Sequence, residues 1–311
     1  MAINGKVATE RKGEGFAGIW LPMITPMRGN AVDIAAVRTL ARHYAQAGIS
    51  GLVLFGSTGE GNLISLDEKA AMAHAVRDAA PQLPVAFGAG GVDTQAMCLM
   101  IRKLDALQPV GWLIPPPYYL CPAPDGILWH YQEVSWVTKR PVIIYNIPKR
   151  TGTRLSVALM EHLCQYTTCM AVKECDPVAL AAMDARRKLT VLCGEDTAFL
   201  DHFTAGGAGA ISASAHIRPD MFVAVMRLAQ AGRDNEAHAL FARLKPVIRM
   251  LFQEPSPGPV KQVLAAQGFV RNELRLPMTP ASDALWRRLR HALAQLPSDK
   301  EVAALYRRRD C

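Results

Sequence analysis

The chain has 311 residues, of which 50% are apolar and 20% are charged, and its formal net charge is +8. This composition is typical of a globular protein with enough residues for one large core, and it excludes a disordered or low-complexity chain. No apolar run approaches the roughly 18 residues that cross a bilayer, and the basic residues form no stripe interleaved with aromatic ones, as nucleic-acid binding would need. We therefore predict no membrane span and no nucleic-acid partner.

The chain begins with a polar segment, residues 1–14, that lacks the apolar centre of a signal peptide. We predict a tail there, separate from the folded part. The cysteines are scattered singly, without a C-x-x-C pair, which is typical of small core residues in a reducing compartment. We therefore predict a cytoplasmic protein. The cysteines are Cys98, Cys121, Cys164, Cys169, Cys175, Cys193 and Cys311.

Short apolar runs alternate with segments of helical spacing along the chain. The runs cover residues 18–25, 51–56, 84–89, 111–115, 141–146, 169–173, 189–194 and 209–212. The first helical segments between them cover residues 33–48, 65–80 and 93–108. Gly48 is a helix stop, and Ser65 with Glu68 forms the pattern of a capping box. Apolar runs separated by helices predict a parallel sheet whose faces are covered by helices.

The number of repeats decides between two kinds of parallel sheet. About eight strand–helix units predict a (β/α)8 TIM barrel, whereas a doubly wound sheet has about five or six strands and a glycine-rich phosphate loop after the first. Here the first run continues into TPMRGN, which is not such a loop, and from about Arg233 the pattern is all-helical. We predict a barrel over residues 15–231, with the active site, and a C-terminal helical extension over residues 232–311.

Lys173 closes the sixth apolar run, within AVKECD. A lysine at a strand end commonly extends its ammonium into solvent. In a TIM barrel, however, the carboxyl ends of the strands form the active site. There, desolvation lowers the pKa of an ammonium, and the free amine forms a Schiff base with a ketone. The histidines are isolated, without H-x-H or H-E-x-x-H, so we predict no metal and no cofactor.

Seven short motifs, in this order, carry a resemblance to a known family. They are GSTGE (56–60), PYY (117–119), YNIPKRTG (145–152), VKE (172–174), GAIS (209–212), EPSPGPVK (254–261) and RLPMTP (275–280). Over residues 16–295 the chain resembles the dihydrodipicolinate synthase / N-acetylneuraminate lyase family of pyruvate-dependent class I aldolases. The resemblance implies a (β/α)8 barrel with a C-terminal helical extension, assembled as a homotetramer of two tight dimers.

The resemblance also implies roles for individual residues. Lys173 matches the lysine that forms the Schiff base with pyruvate, and Tyr145 matches the tyrosine that assists and passes protons. Ser57 stands where synthases usually carry threonine and lyases often carry serine, and its hydroxyl keeps a proton relay possible. The other matches are Thr58 and its loop amides (pyruvate carboxylate), Ile211 (main-chain contact to pyruvate), Tyr118 (interface) and Tyr119 (relay into the partner subunit).

Arg150, in KRTG, distinguishes the branches of the family. The resemblance implies that this arginine grips the carboxylate of aspartate semialdehyde in the synthases, whereas sialic-acid lyases and sugar-acid enzymes lack it. We therefore predict condensation of pyruvate with a small aldehyde, L-aspartate 4-semialdehyde, in lysine biosynthesis. Two alternatives remain open: an aldolase or dehydratase of sialic acid or of a 2-keto-3-deoxy sugar acid, which the lyase-like Ser57 favours, and a catalytically silent protein that binds pyruvate.

Synthases that respond to lysine carry histidines, an asparagine and a glutamate at the inhibitor site. The matching positions here are Gly61, Asn62, Leu66, Lys69, Val92 and Ala96. They offer no acidic partner for an ammonium, and Lys69 would repel one. We therefore predict that lysine does not inhibit this protein.

Overall fold

The computed structural model describes residues 15–186 and 189–307, so the predicted tail at residues 1–14 and Cys311 lie outside it. Parallel strands form one closed barrel, in which each strand pairs with the neighbouring strand along the chain and β1 pairs with β8. The predicted (β/α)8 barrel is confirmed. Its strands are β1 Gly18–Pro22, β2 Gly51–Leu54, β3 Val85–Gly88, β4 Trp112–Ile114, β5 Val142–Asn146, β6 Cys169–Glu174, β7 Thr190–Cys193 and β8 Gly209–Ile211.

Helices follow the strands and cover the outside of the barrel. They are α1 Ile34–Ala47, α2 Leu66–Ala79, α3 Thr94–Asp105, α4 Pro124–Val137, α5 Pro148–Thr151, α6 Val157–Tyr166, α7 Pro177–Arg186, α8 Phe199–Thr204 and α9 Pro219–Gln230. A hairpin (Met27–Arg28 with Ala31–Val32) follows β1, and short 3-10 turns occupy Gly61–Leu63, Asp196–Ala198 and Ser214–His216.

The helix ends lie where the sequence places them. Ser65 and Glu68 form the complete capping box at the start of α2. Gly48 ends α1 with φ 81°, in the left-handed region that glycine adopts without a steric penalty. These local signals bound α1 and α2 within one residue of the predicted segments, whereas α3 ends at Asp105, three residues before its predicted end.

Two apolar layers result from the alternation of side chains along each strand. One set of buried residues fills the barrel interior, including Trp20, Leu113, Ile143 and Leu192. The alternate residues face the helices and join the larger cluster between the strands and the helical shell. This alternation determines which side chain at a strand end faces the barrel mouth and which faces a helix.

Helices α10 Asp234–Leu251, α11 Gly258–Ala266, α12 Asp283–Leu293 and α13 Asp299–Arg307 follow the barrel. Helix α10 packs against α9 and α12, whereas α11 packs against α12 and the Ser214–His216 turn. The segment between α10 and α11 reaches the carboxyl ends of the strands, where Phe252 to Ser256 line a cavity. The C-terminal helices therefore contribute directly to the barrel mouth.

No helix in the described part of the chain combines the length and the apolar composition that a membrane span requires. Cys98, Cys121, Cys169, Cys175 and Cys193 form no disulfide bond. Cys98, Cys169 and Cys193 are buried, as the sequence predicts for small core residues, but Cys121 is exposed. That prediction is wrong for Cys121 because it lies in the proline-rich loop after β4, with φ 46°, rather than in an apolar element.

Candidate active site

Lys173 lies one residue before the end of β6 and points into the barrel mouth. Its neighbour on β5 is Tyr145, because Tyr145 pairs with Lys173 and Asn146 pairs with Glu174 in the parallel register. The Lys173 Nζ lies 4.3 Å from the centroid of the Tyr145 ring, within cation–π range. Lys173 is only 5% exposed. The alternative of a solvent-exposed lysine therefore does not describe this side chain.

The electrostatics of Lys173 differ from the prediction. Burial is the largest influence and lowers its pKa, but Tyr145, Cys175 and Asp196 together raise the pKa above its ordinary value. The prediction of a lowered pKa is wrong because it counted desolvation and omitted the acidic groups that the fold gathers around the amine. The resting side chain is an ammonium, and imine formation requires a proton acceptor in the cavity.

Ser57 and Tyr145 place two hydroxyl groups beside this lysine. The Ser57 Oγ lies 3.4 Å from the Tyr145 Oη, at the long end of the hydrogen-bond range. Either hydroxyl can donate, so the pair can pass a proton in either direction. Hydrogen bonds of a proton relay commonly shorten once substrate is bound.

The loop after β2 supplies backbone donors. Its carbonyls are engaged, because the Glu60 amide donates to Ser57 O (3.2 Å) and the Thr25 hydroxyl donates to Gly59 O (2.6 Å). The amides of Ser57 and Thr58 donate to no acceptor in the described part of the chain. Both residues line the same cavity as Lys173. Free amides beside a buried lysine suit a carboxylate.

One cavity of about 550 Å³ brings together most of the predicted site residues. It is lined by Ser57, Thr58, Tyr145, Arg150, Lys173 and Ile211, with Glu195, Asp196 and the residues 252–256 on the other wall. A second lobe of about 320 Å³ shares Ser57, Tyr145 and Arg150 and extends to Asn62 and Tyr118. The cleft is large enough for two small substrates side by side.

Arg150 lies in the short helix α5, directly after β5, and its side chain is exposed at the cleft. Its guanidinium forms no hydrogen bond or ion pair with any residue that the structure describes. A free guanidinium at the junction of the two lobes can bind a carboxylate through two parallel hydrogen bonds.

Tyr119 lies outside this group. Its side chain is 86% exposed, and its backbone adopts φ 71°, in the left-handed region. Its neighbour Tyr118 turns inward, where its hydroxyl accepts a hydrogen bond from Asn62 Nδ2 (2.7 Å). Within one chain Tyr119 therefore points away from the cleft, and its predicted role requires a second subunit.

Three further residues shape the site without having been predicted as site residues. The buried Asp196 carboxylate accepts the Ser214 amide (2.8 Å) and acts electrostatically on Lys173. The buried Glu174 carboxylate accepts both hydrogen bonds from Asn146 Nδ2 (2.8 and 3.1 Å), which fixes β6 against β5. Burial raises the pKa of Glu174 to about 7. The sequence signals were the letters ED after β7 and E after Lys173, which alone do not distinguish buried from exposed carboxylates.

Gly194 is the third of these residues, directly after β7. A Cβ atom there would overlap Cys175 Sγ and would lie 3.0 Å from Lys173 Cε and 3.0 Å from Glu174 O. The missing side chain therefore makes room for the stem of Lys173.

Lys69 lies in a separate cavity of about 420 Å³, which shares Asn62 and Tyr118 with the active cleft. Lys69 is 5% exposed, its closest polar contact is Met100 Sδ (3.3 Å), and burial lowers its pKa. Asp93 also lines this cavity, but its Oδ1 already accepts the amides of Gln95 and Ala96. In the ranges 15–186 and 189–307, no carboxylate forms an ion pair with Lys69.

The described residues contain no group of three or more His, Cys, Asp or Glu side chains that is placed to hold a metal ion. The groups that line the cleft are an amine, hydroxyls, amides, carboxylates and a guanidinium.

Comparison with known proteins identifies the family of this chain. The Dihydrodipicolinate synthetase family matches residues 15–296. The chain belongs to this family. It is 32% identical over 286 residues to the 4-hydroxy-tetrahydrodipicolinate synthase of Magnetococcus marinus, covering 90% of this chain and 98% of the relative. It is 31% identical over 278 residues to 4-hydroxy-tetrahydrodipicolinate synthase 2 of Clostridium acetobutylicum, covering 88% and 97%.

Among solved structures, dihydrodipicolinate synthase from Thermotoga maritima superimposes with a TM-score of 0.85 at 28% identity, covering 93% of this chain and 99% of that one. The predicted membership of the dihydrodipicolinate synthetase family, and the similarity to its synthases, are confirmed.

We predict that Gly194→Ala lowers kcat/KM about 5- to 150-fold. The added methyl group overlaps Cys175 and displaces the Lys173 stem, and overpacking of this kind costs about 1–3 kcal/mol. Steady-state kinetics measure the loss. Gly91→Ala is the matched control, because its Cβ would lie 3.9 Å from the nearest atoms. Equal activities for the two variants would contradict the packing argument.

We predict that lysine at millimolar concentration changes neither the saturation curve for pyruvate nor the melting temperature. The buried Lys69 ammonium repels the ammonium of the ligand, and an unpaired buried charge costs several kcal/mol. Pyruvate, tested in parallel, is the positive control for a ligand-induced shift. Half-maximal inhibition by lysine below about 1 mM, worth roughly 4 kcal/mol of binding, would contradict the prediction.

Proposed function

We propose that this protein is a 4-hydroxy-tetrahydrodipicolinate synthase, which condenses pyruvate with L-aspartate 4-semialdehyde on the route to lysine. The observation that carries the proposal is a single cleft in which the buried Lys173, the free amides of Ser57 and Thr58, and the free guanidinium of Arg150 meet. The names of the curated relatives support the same activity.

The cleft suits the following sequence of steps. The carboxylate of pyruvate binds the Ser57 and Thr58 amides, and its ketone faces Lys173 beside the main chain of Ile211. The Lys173 ammonium gives up a proton, its amine attacks the ketone, and loss of water gives the imine. The Tyr145 hydroxyl, on the strand next to Lys173, takes up this proton and passes its own to Ser57 and on to solvent in the cleft.

The imine then acts as an electron sink. Loss of a proton from the methyl group gives an enamine, whose carbon attacks the aldehyde of the second substrate. Arg150 holds the carboxylate of that substrate at the junction of the two lobes. The substrate's amino group finally attacks the imine carbon and displaces Lys173, which restores the free side chain.

We propose further that the working assembly is a homotetramer of two tight dimers in the cytoplasm. The exposure of Tyr119 supports this, because an 86% exposed tyrosine with a left-handed backbone has no contact to hold it in an isolated subunit. In a dimer Tyr119 would reach the relay of the neighbouring subunit. The free cysteines are consistent with a reducing compartment.

The alternative of a sialic-acid or sugar-acid enzyme rests on Ser57, which the lyases share. It uses the same Lys173 imine and differs in the substrate and in the reaction that follows imine formation. A purified sample should form product from pyruvate and L-aspartate 4-semialdehyde in a coupled assay. Assays with N-acetylneuraminate and 2-keto-3-deoxygluconate, run in parallel, identify the alternative if one of those is the better substrate.

We predict that borohydride inactivates the protein only in the presence of pyruvate and leaves a reduced adduct on Lys173. The reduction converts the imine to a stable secondary amine, so mass spectrometry locates it. Lys173→Ala is the control and should carry no adduct. An adduct that persists in the variant would place the nucleophile elsewhere, and the absence of any adduct in the natural chain would favour the silent binding protein.

We predict that Arg150→Ala raises the KM for the semialdehyde about 10- to 100-fold and changes that for pyruvate much less. A hydrogen bond to a charged group contributes about 1.5–3 kcal/mol, and the exposed position of Arg150 places its effect within this range. Arg150→Lys keeps the charge and loses the paired geometry, so its KM should be intermediate. An unchanged KM in the alanine variant would favour the sugar-acid alternative.

A further inference from the structure

A buried ion pair lies directly behind the loop that carries Ser57 and Thr58. The Glu60 side chain is 1% exposed and its partner Lys261, in α11, is 0% exposed. Lys261 Nζ also donates to Glu273 O (2.9 Å), and the second oxygen of Glu60 accepts the Arg275 amide (3.0 Å). The carboxylate is therefore held from two sides by the C-terminal part of the chain.

The same segment holds the next turn of the loop. The Arg275 guanidinium donates to both oxygens of Glu68 (2.7 and 2.9 Å) and to Leu63 O (2.6 Å). The hydrogen bond from Arg275 is the main reason that the pKa of Glu68 falls to about 2. Residues 273–275 therefore hold the segment after β2 at two places. The first is Glu60, in the loop, and the second is formed by Leu63 and by Glu68 in the first turn of α2.

Glu60 connects these contacts to the donors of the site. Its backbone adopts φ 53°, in the left-handed region, where a residue with a Cβ is strained by about 1–2 kcal/mol. Its amide closes the turn on Ser57 O (3.2 Å). A strained residue persists when its surroundings fix it, and here its surroundings are Lys261 and Arg275. Displacement of Glu60 would rotate the Ser57 and Thr58 amides, which lie three and two residues before it.

Stability alone gives little reason for such a pair, since apolar replacement of a buried ion pair is often neutral or stabilising. We propose that Glu60 and Lys261 are positioning residues, which hold the Ser57 and Thr58 amides in the geometry that receives the pyruvate carboxylate. The inference rests on the proposed function for its ligand. It also assigns the C-terminal helices a role in substrate binding.

The test measures borohydride trapping by pyruvate in the full-length chain, as a function of pyruvate concentration. Lys261→Met should raise the pyruvate concentration for half-maximal trapping at least tenfold. The limiting trapping rate at saturating pyruvate should change less than threefold, because Lys173 and Tyr145 remain in place. If the pair had a purely structural role, the variant would yield less active protein. The half-maximal pyruvate concentration of that active protein would then be unchanged.

Lys261→Met leaves the Glu60 carboxylate buried without its partner, which can prevent folding. The double variant Glu60→Met/Lys261→Met removes both charges and fills the space with unbranched side chains of similar length. It should fold, because it leaves no unpaired charge buried. It should still show the tenfold rise, because position 60 also loses the hydrogen bond from the Arg275 amide. A double variant within threefold of the natural chain would overturn the proposal.

Arg140→Met is the matched control, since it breaks the pair of Arg140 with Asp105 (3.0 Å) at the amino end of the strands. It should lower the melting temperature and leave the half-maximal pyruvate concentration unchanged. An equal rise in this control would also overturn the proposal. Failure of the natural chain to be trapped by pyruvate would instead contradict the proposed function, so the two failures are distinguishable.

Discussion

The site depends on keeping an ammonium inside a barrel of apolar side chains. Burial alone would deprotonate Lys173 or exclude it from the core. The fold offsets this cost with the Tyr145 ring face at 4.3 Å and with the buried acidic group of Asp196. Lys173 is thereby retained as a buried cation, and its reactivity depends on a proton acceptor close by. The hydroxyl groups of Tyr145 and Ser57 lie beside the amine, where they can meet this requirement.

The parallel register of β5 and β6 determines which side chains lie next to Lys173. Adjacent strands place Tyr145 next to Lys173, and the following pair, Asn146 and Glu174, faces the helices. In the proposed mechanism the inward pair carries the chemistry, while the outward pair joins the two strands through both oxygens of Glu174. A shift of one residue would exchange the two pairs, so the hydrogen bonds of Asn146 maintain the catalytic alignment as well as the fold.

Much of this was predictable from sequence. Strand and helix positions follow from periodicity and caps, and the position of Lys173 at the mouth follows from its place at a strand end. The direction of its pKa did not follow, because Tyr145 and Asp196 come from the regions of the neighbouring strands β5 and β7 and reach the amine only in the folded barrel. The contact of the buried Lys69 with Met100 spans 31 residues of the chain, and the ion pair of Glu60 with Lys261 spans 201. Motifs and periodicity relate residues a few positions apart, so they do not predict contacts between residues so distant in the sequence.

The two halves of the cleft differ in how they are built. In the proposed mechanism, the half that binds pyruvate consists of strand ends and of a loop held by the ion pairs Glu60–Lys261 and Glu68–Arg275, so the barrel and the C-terminal extension together determine its shape. In the same proposal, the half that binds the second substrate consists of Arg150 in a short helix and of the segment after α10, which are largely exposed and free to differ between relatives. A single barrel can therefore keep the Lys173 imine and change the electrophile, and substrate choice depends on the outer residues.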